Sequence, residues 1–248
     1  MVYSDTTTRQ GLIQDCEDLT GLGVAGISGV TAKLQTFTRY INERYLEVTG
    51  LIITADGRWQ WDDSNHAAQP VATTDLVLGQ DNYLVLSATP GSAQDWLVAD
   101  KVELKDSNGD WYFLNPIDKG QYNTSLEERF ETNGLPTYYD MEGASVKLYP
   151  ASDYASTDGM KIWFKRAPLL FSSTSSTAND AKKPGFASIF HKYLSLGASF
   201  DYCIANDMDR ANNLKALMDE MKIAIKEHYG KRIGYETLKV KRAPHSFK

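Results

Sequence analysis

Hydrophobic positions follow a helical period near both ends of the chain and a period of two in the middle. Val30, Leu34, Phe37, Ile41, Tyr45, Val48 and Ile52 advance by three or four residues, so they fall on one stripe of a long helix. The opposite side carries Lys33, Gln35, Arg39, Asn42, Glu43 and Glu47 and is expected to face water. A shorter helix is expected from Leu12, Ile13, Cys16 and Leu19, with the hydroxyls of Thr6, Thr7 and Thr8 satisfying its first amides. Gly21 to Gly29 then breaks the pattern as a flexible interhelical loop. Near the other end, Pro184 is expected to open a helix whose stripe is Phe186, Ile189, Phe190, Tyr193, Leu194, Gly197, Phe200 and Ile204. Gly197 would let a neighbouring helix approach closely. After Asn206-Asp207, a last helix turns Leu214, Leu217, Met218, Met221 and Ile225 inward and stops at Gly230.

Between these helices the residues alternate and become aromatic and β-branched. Strands are expected at 71–77, 83–86, 96–104, 111–114, 138–141, 145–149 and 160–166, with a further aromatic alternation at Trp59-Gln-Trp61. Asn108-Gly109 tolerates the positive φ of a hairpin turn, and Glu142-Gly143 supplies another reversal. The fold class is therefore α+β: a helical bundle built from N- and C-terminal helices, with an inserted antiparallel β domain shaped as a small sandwich or curled sheet. The expected divisions are 1–54 for the N-terminal helices, 55–170 for the β domain, 171–230 for the C-terminal helices and 231–248 for an extended arm.

Composition limits what such a chain can do. With 42% hydrophobic and 23% charged residues in 248, it is an ordinary globular sequence. Its apolar runs are too short to cross a bilayer, and Met1-Val-Tyr-Ser-Asp lacks the features of a secretory signal. Cys16 and Cys203 lie far apart in helical segments and are expected to be core thiols, which suits assembly in a reducing cytoplasm. Residues 231–248 carry a net charge of +5 against −6 for the whole chain, leaving −11 on the preceding 230 residues. A basic arm on an acidic body suggests that the arm meets an acidic partner, and the acidic body argues against a protein that reads nucleic-acid sequence.

Motifs that suggest chemistry fail on context. Gly21-x-Gly23-x-x-Gly26 has the spacing of a dinucleotide fingerprint, but it follows a helix and no βαβ unit surrounds it. Lys105 to Asp110 has part of a calcium loop without the bidentate glutamate at the required offset, so a hairpin is favoured. Trp59 and Trp61 beside Asp62 and Asp63 could form a sugar platform with two carboxylates, but adjacent strand residues point to opposite faces. His66, His191, His228 and His245 are too dispersed to suggest a ligand pair. The expectation is a protein that is not an enzyme, with no catalytic, cofactor-binding or metal residues.

One stretch carries a resemblance. Gly134-Leu-Pro-Thr-Tyr-Tyr-Asp, a polar turn, and Val146-Lys-Leu-Tyr-Pro150 are similar to a pattern in head-to-tail connector (neck adaptor) proteins of tailed bacteriophages. The order of parts resembles that family over nearly the full length. Val30 to Ile52 stands as the long helix, and Asp56-Gly-Arg-Trp-Gln-Trp61 as the entry to the β part. Lys161-Ile-Trp-Phe-Lys-Arg-Ala-Pro168 is the strand before a polar loop, and Phe186 begins the returning helix. The resemblance implies a structural virion protein assembled in the host cytoplasm. It would form a homo-oligomeric ring, usually of twelve copies, under the portal protein and above a downstream neck or tail protein. The ring would line the channel through which genomic double-stranded DNA leaves, without membrane contact. The arm residues expected to bind the portal are Lys231, Arg232, Tyr235, Leu238, Lys239, Val240, Lys241 and Arg242. An acidic wall would limit sticking to phosphates. The alternatives are a tail-completion protein one layer lower, a carbohydrate- or receptor-binding β module using the tryptophans, and a glycosidase using Asp62 and Asp63.

Overall fold

The computed structural model describes residues 1–55, 70–84, 96–123, 125–174 and 176–230. The protein is α+β, with helices and with antiparallel and mixed sheets. It divides into two compact units, Met1–Trp59 with Phe171–Lys248, and Gln60–Leu170. Trp59, Trp61, Asp62, Asp63 and His66 lie outside the described residues, as do the arm from Lys231 to Lys248 and the end of the strand expected at 83–86.

The helical unit contains α1 (Leu12–Thr20) and α2 (Thr31–Ala55), then a short α4 (Thr177–Asp180), α5 (Lys192–Ala205) and α6 (Ala211–Gly230). Among its longer helices, α5 packs against α1, α2 and α6, and α2 also meets α6. On α2 the stripe Phe37, Ile41, Tyr45, Val48 and Ile52 is fully buried, while Val30 is exposed and Leu34 only half-buried. Apolar side chains on one helical face leave water only where a partner covers them, and cover begins at Phe37.

Several local expectations are corrected. The threonines do not cap α1; its N-cap is Gly11 with no side-chain cap, and Asp5 accepts from the amides of Thr7 and Thr8 instead. The returning helix starts at Lys192, after a 3-10 turn at Ser188–Phe190, rather than at Pro184. That turn shifts the phase, so Ile189 is exposed; Ile204 and Leu217 are exposed as well. Gly197 does receive a close neighbour: a Cβ there would stand 2.7 Å from Arg44 Cγ on α2. Cys16 and Cys203 are free thiols in the core.

The second unit holds β1 (Val71–Leu76), β2 (Asn82–Tyr83), β3 (Trp96–Lys105), β4 (Trp111–Phe113), β5 (Asn115–Pro116), α3 (Leu126–Arg129), β6 (Tyr138–Glu142), β7 (Ser145–Tyr149) and β8 (Ser156–Arg166). One sheet has the order β1-β8-β3-β4 and the other β2-β7-β6-β5. Alternation along each strand sends one set of side chains between the sheets. In the first sheet, Ala72, Ile162 and Val102 form a row across β1, β8 and β3, with Met160 beside Leu104. In the second, Tyr139 pairs with Leu148 and Met141 with Val146. Residues of both sets share one buried cluster, which makes the unit a sandwich. The β6–β7 loop is Gly143-Ala144, with Gly143 at φ 62°, one residue later than expected. Asp106 Oδ1 accepts from the amides of Asn108 and Asp110 and closes the β3–β4 turn.

Candidate interaction surfaces

Polar groups in the helical unit link segments far apart in sequence. Arg44 on α2 donates through Nε to Asp201 Oδ2 on α5 at 2.9 Å, makes a second contact to the same carboxylate, and reaches Glu47 at 2.8 Å. Lys222 on α6 donates to the other oxygen of Glu47 at 2.7 Å. Burial works against ionisation at Arg44 and Glu47, and the surrounding ion pairs outweigh it. The guanidinium is held above its usual range and the Glu47 carboxyl below its own. Asn42 exchanges two 2.9 Å hydrogen bonds with the backbone of Phe171, whose ring stacks on Tyr3 and Tyr45. Asn42 and Glu47, expected to face water, are thus clamps for the returning chain.

The glycine loop is closed rather than free. Glu17 on α1 has a fully buried side chain; its Oε1 accepts from the amides of Ile27 and Ser28 and from Ser28 Oγ, and its Oε2 meets Arg9 at 3.2 Å. Gly21 adopts φ 73° and donates to the Glu17 carbonyl, ending the helix. This carboxylate occupies the loop amides that a phosphate would need in a nucleotide-binding reading.

The two outer faces of the sandwich differ. That of the second sheet is covered by residues 117–133 of the same chain, where Phe130 packs 5.5 Å from Tyr149 and 6.4 Å from Tyr138. Lys119 pairs with Asp140 at 2.5 Å, and Lys147 stands 3.9 Å from both Asp81 and Glu127 beside a cavity of about 310 Å³. Glu127 and Glu131 line it and are exposed; Glu128, Glu142, Lys119 and Arg129 are further exposed charges of the second sheet and the segment that covers it.

The outer face of the first sheet is open toward β4, whereas Lys165, on the same side of β8, is buried and pairs with Asp100 at 3.2 Å. Phe113 is 61% exposed, and Val71, Val98 and Trp111 also reach solvent. Lys161 Nζ lies 3.7 Å from the centre of the Trp111 ring, and Lys101 lies 5.5 Å from that of Phe113. Register sets Phe113, Glu103, Lys161 and Thr73 in one row and Lys101, Trp163 and Val71 in the next. The indole N–H of Trp163 is buried and has no acceptor among the described residues. Sequence reasoning placed Trp111 and Phe113 in a strand but not on a functional face. A usable signal was present: Trp111-Tyr112-Phe113 is apolar on both sides, whereas a strand with one face in water alternates.

A third surface lies on the helical unit, where Ile189, Leu217 and Ala224 edge an apolar groove of about 390 Å³ between the start of α5 and α6. Among the described residues, no group of three histidine, cysteine, aspartate or glutamate side chains is placed to hold a metal ion, and no helix is long and apolar enough to cross a membrane. No family model matches the chain, and no characterised protein compared with it is similar.

Proposed function

We propose that this chain is a non-enzymatic structural virion protein, a head-to-tail connector whose copies form a ring between the capsid portal and the tail and line the DNA exit channel. The observation carrying the proposal is the closure of the chain's two ends on each other. Arg44–Asp201 and Glu47–Lys222 join α2 to α5 and α6 across more than 150 residues, and the sandwich is built wholly from the residues between. This supports reading the chain as a helical bundle with an inserted β domain, for which the basic charge of residues 231–248 suits an arm toward the portal. Rigid ion-paired helices suit a part that is stacked and loaded, and the sequence-wide acidity suits a wall past which DNA slides.

Electron microscopy of the purified protein with portal-bearing capsids should show rings at the portal vertex. Capsids that stay bare at saturating protein would overturn the reading. Deleting residues 231–248 should abolish attachment and leave the monomer folded. A second reading, a carbohydrate-binding β module, is favoured only by the open face bearing Trp111 and Phe113; glycan titration that quenches tryptophan fluorescence would support it.

A further inference from the structure

We infer that copies of this protein meet through the β sandwich, the open face of the first sheet in one copy seating on the α3-bearing face of the next. This rests on the ring reading and names the contact that the ring would use.

Two observations point the same way. The open face combines exposed Phe113, Trp111, Val98 and Val71, an aromatic and aliphatic patch of the kind that marks protein contacts. Its cations Lys101, Lys105 and Lys161 outnumber Glu103 and the marginal Asp75, whose carboxylate already accepts from the Asp158 amide. This excess stands out in a chain of net charge −6. The opposite side presents Glu127, Glu128 and Glu131 around Arg129 and is the acidic complement.

The complementarity is between two different faces of one sandwich, so the contact is heterologous. Each copy uses one face to give and the other to receive, and the arrangement propagates until it closes into a ring. Two open faces placed together would oppose lysine to lysine, and two α3 faces would oppose glutamate to glutamate. Cation–π contact holds the Lys161 and Lys101 charges on the aromatic patch itself, where they set register and rate of encounter.

Charge exchange in the full-length protein tests this. One variant carries Lys101→Glu with Lys161→Glu and so has two acidic faces; the other carries Glu127→Lys with Glu131→Lys and has two basic ones. Each alone should self-associate about tenfold more weakly than the unaltered protein in sedimentation velocity. Mixed in equal amounts they should assemble again, because every contact in an alternating ring is then between unlike faces. A misfolded variant could not be rescued in this way. Cross-linking adds position: a mixture of Phe113→Cys and Glu131→Cys proteins with a short bis-maleimide should yield mixed pairs, the native thiols being buried. Rings that form in the unaltered protein but ignore both charge reversals would overturn this contact and leave the connector reading standing. Pairs of Phe113→Cys alone would do the same, since they require open face on open face. An unaltered protein that never assembles, with or without portal-bearing capsids, would remove both.

Discussion

The helical unit and the sandwich bury different things. Of the polar or charged residues in the core, Gln14, Glu17, Thr20, Thr38, Thr49, His191, Ser195 and Ser199 are helical-unit residues, while the sandwich contributes only Ser152 and Lys165 among those described. The difference follows from how each unit sets its register. In the sandwich, even strands far apart in the chain, such as β1 and β8, meet through a backbone ladder, which with alternate apolar side chains is enough to set register. The helical unit must bring the chain's two ends together, and apolar stripes alone allow helices to slide. Hydrogen bonds such as Tyr3 Oη to Thr38 Oγ1 and Tyr45 Oη from the Gly185 amide give each meeting a single geometry. The sandwich should therefore respond to lost volume, and the helical unit to lost partners and to pH.

The largest effect is expected in the sandwich. Ile162 is fully buried on the central strand β8 between Ala72 and Val102. Ile162→Ala should cost about 3–4 kcal/mol in denaturant unfolding, from lost transfer energy and a residual cavity. That loss should be the same at pH 5 and pH 8, because its neighbours across the sheet, Ala72 and Val102, do not titrate. A pH-dependent loss would show that the sandwich also relies on charge.

In the helical unit, Glu17→Ala should cost about 3 kcal/mol, since it strands two loop amides and Arg9. Burial pushes this carboxyl up, but hydrogen bonds from Ser28 and Ile27 and the contact with Arg9 outweigh it and hold the pKa below the usual value of 4.5. A depressed native pKa means that the unfolded chain takes up the proton first as pH falls. Stability from Glu17 is thus complete above about pH 4.5 and is lost as pH falls through the native value. Glu17→Gln should flatten the acid limb of a stability–pH curve, with amide exchange rising first in residues 21–29. An unchanged acid limb would place acid sensitivity elsewhere.

How far the chain announced this contrast depends on the reach of each signal. Period two placed β1, β3, β4, β6, β7 and β8 to within a few residues, because alternation is local and their partners lie on the same sheets. Strand β5 was missed because a proline lacks the amide of a ladder. It works here because Asn115 and Ile117, on either side of Pro116, donate to the carbonyls of Thr137 and Tyr139. Helical period located α2 and α6 but could not say that Asn42, Arg44 and Glu47 face partners 129 or more residues away. A polar residue on a helix reads as wet until its partner is known. The open face was hidden for a similar reason: Trp111 and Lys161 become neighbours only through the order β8-β3-β4. The expected portal-binding residues from Lys231 to Arg242 lie outside the described residues, so their role rests on charge and on the resemblance alone.

The smallest effect is the most discriminating, because it should change sign. Gly197 sits inside α5, where glycine costs about 1 kcal/mol relative to alanine. An added methyl would fall 2.7 and 2.8 Å from Cγ and Cδ of Arg44. That side chain cannot simply swing aside, since its guanidinium is tied to Asp201 and Glu47. Overpacking of this kind costs about 1–3 kcal/mol, more than the helix propensity returns, so Gly197→Ala should destabilise by about 1 kcal/mol. With Arg44→Ala already in place, the obstruction is gone and only the propensity gain remains. Gly197→Ala should then stabilise by about 1 kcal/mol relative to that background, giving a coupling of about 2 kcal/mol in a double-mutant cycle. The same cycle with Ile162→Ala should be additive, because that side chain belongs to the sandwich core. Additivity with Arg44→Ala would mean that the α2–α5 approach is set by apolar packing alone, and the two units would then be built on one rule.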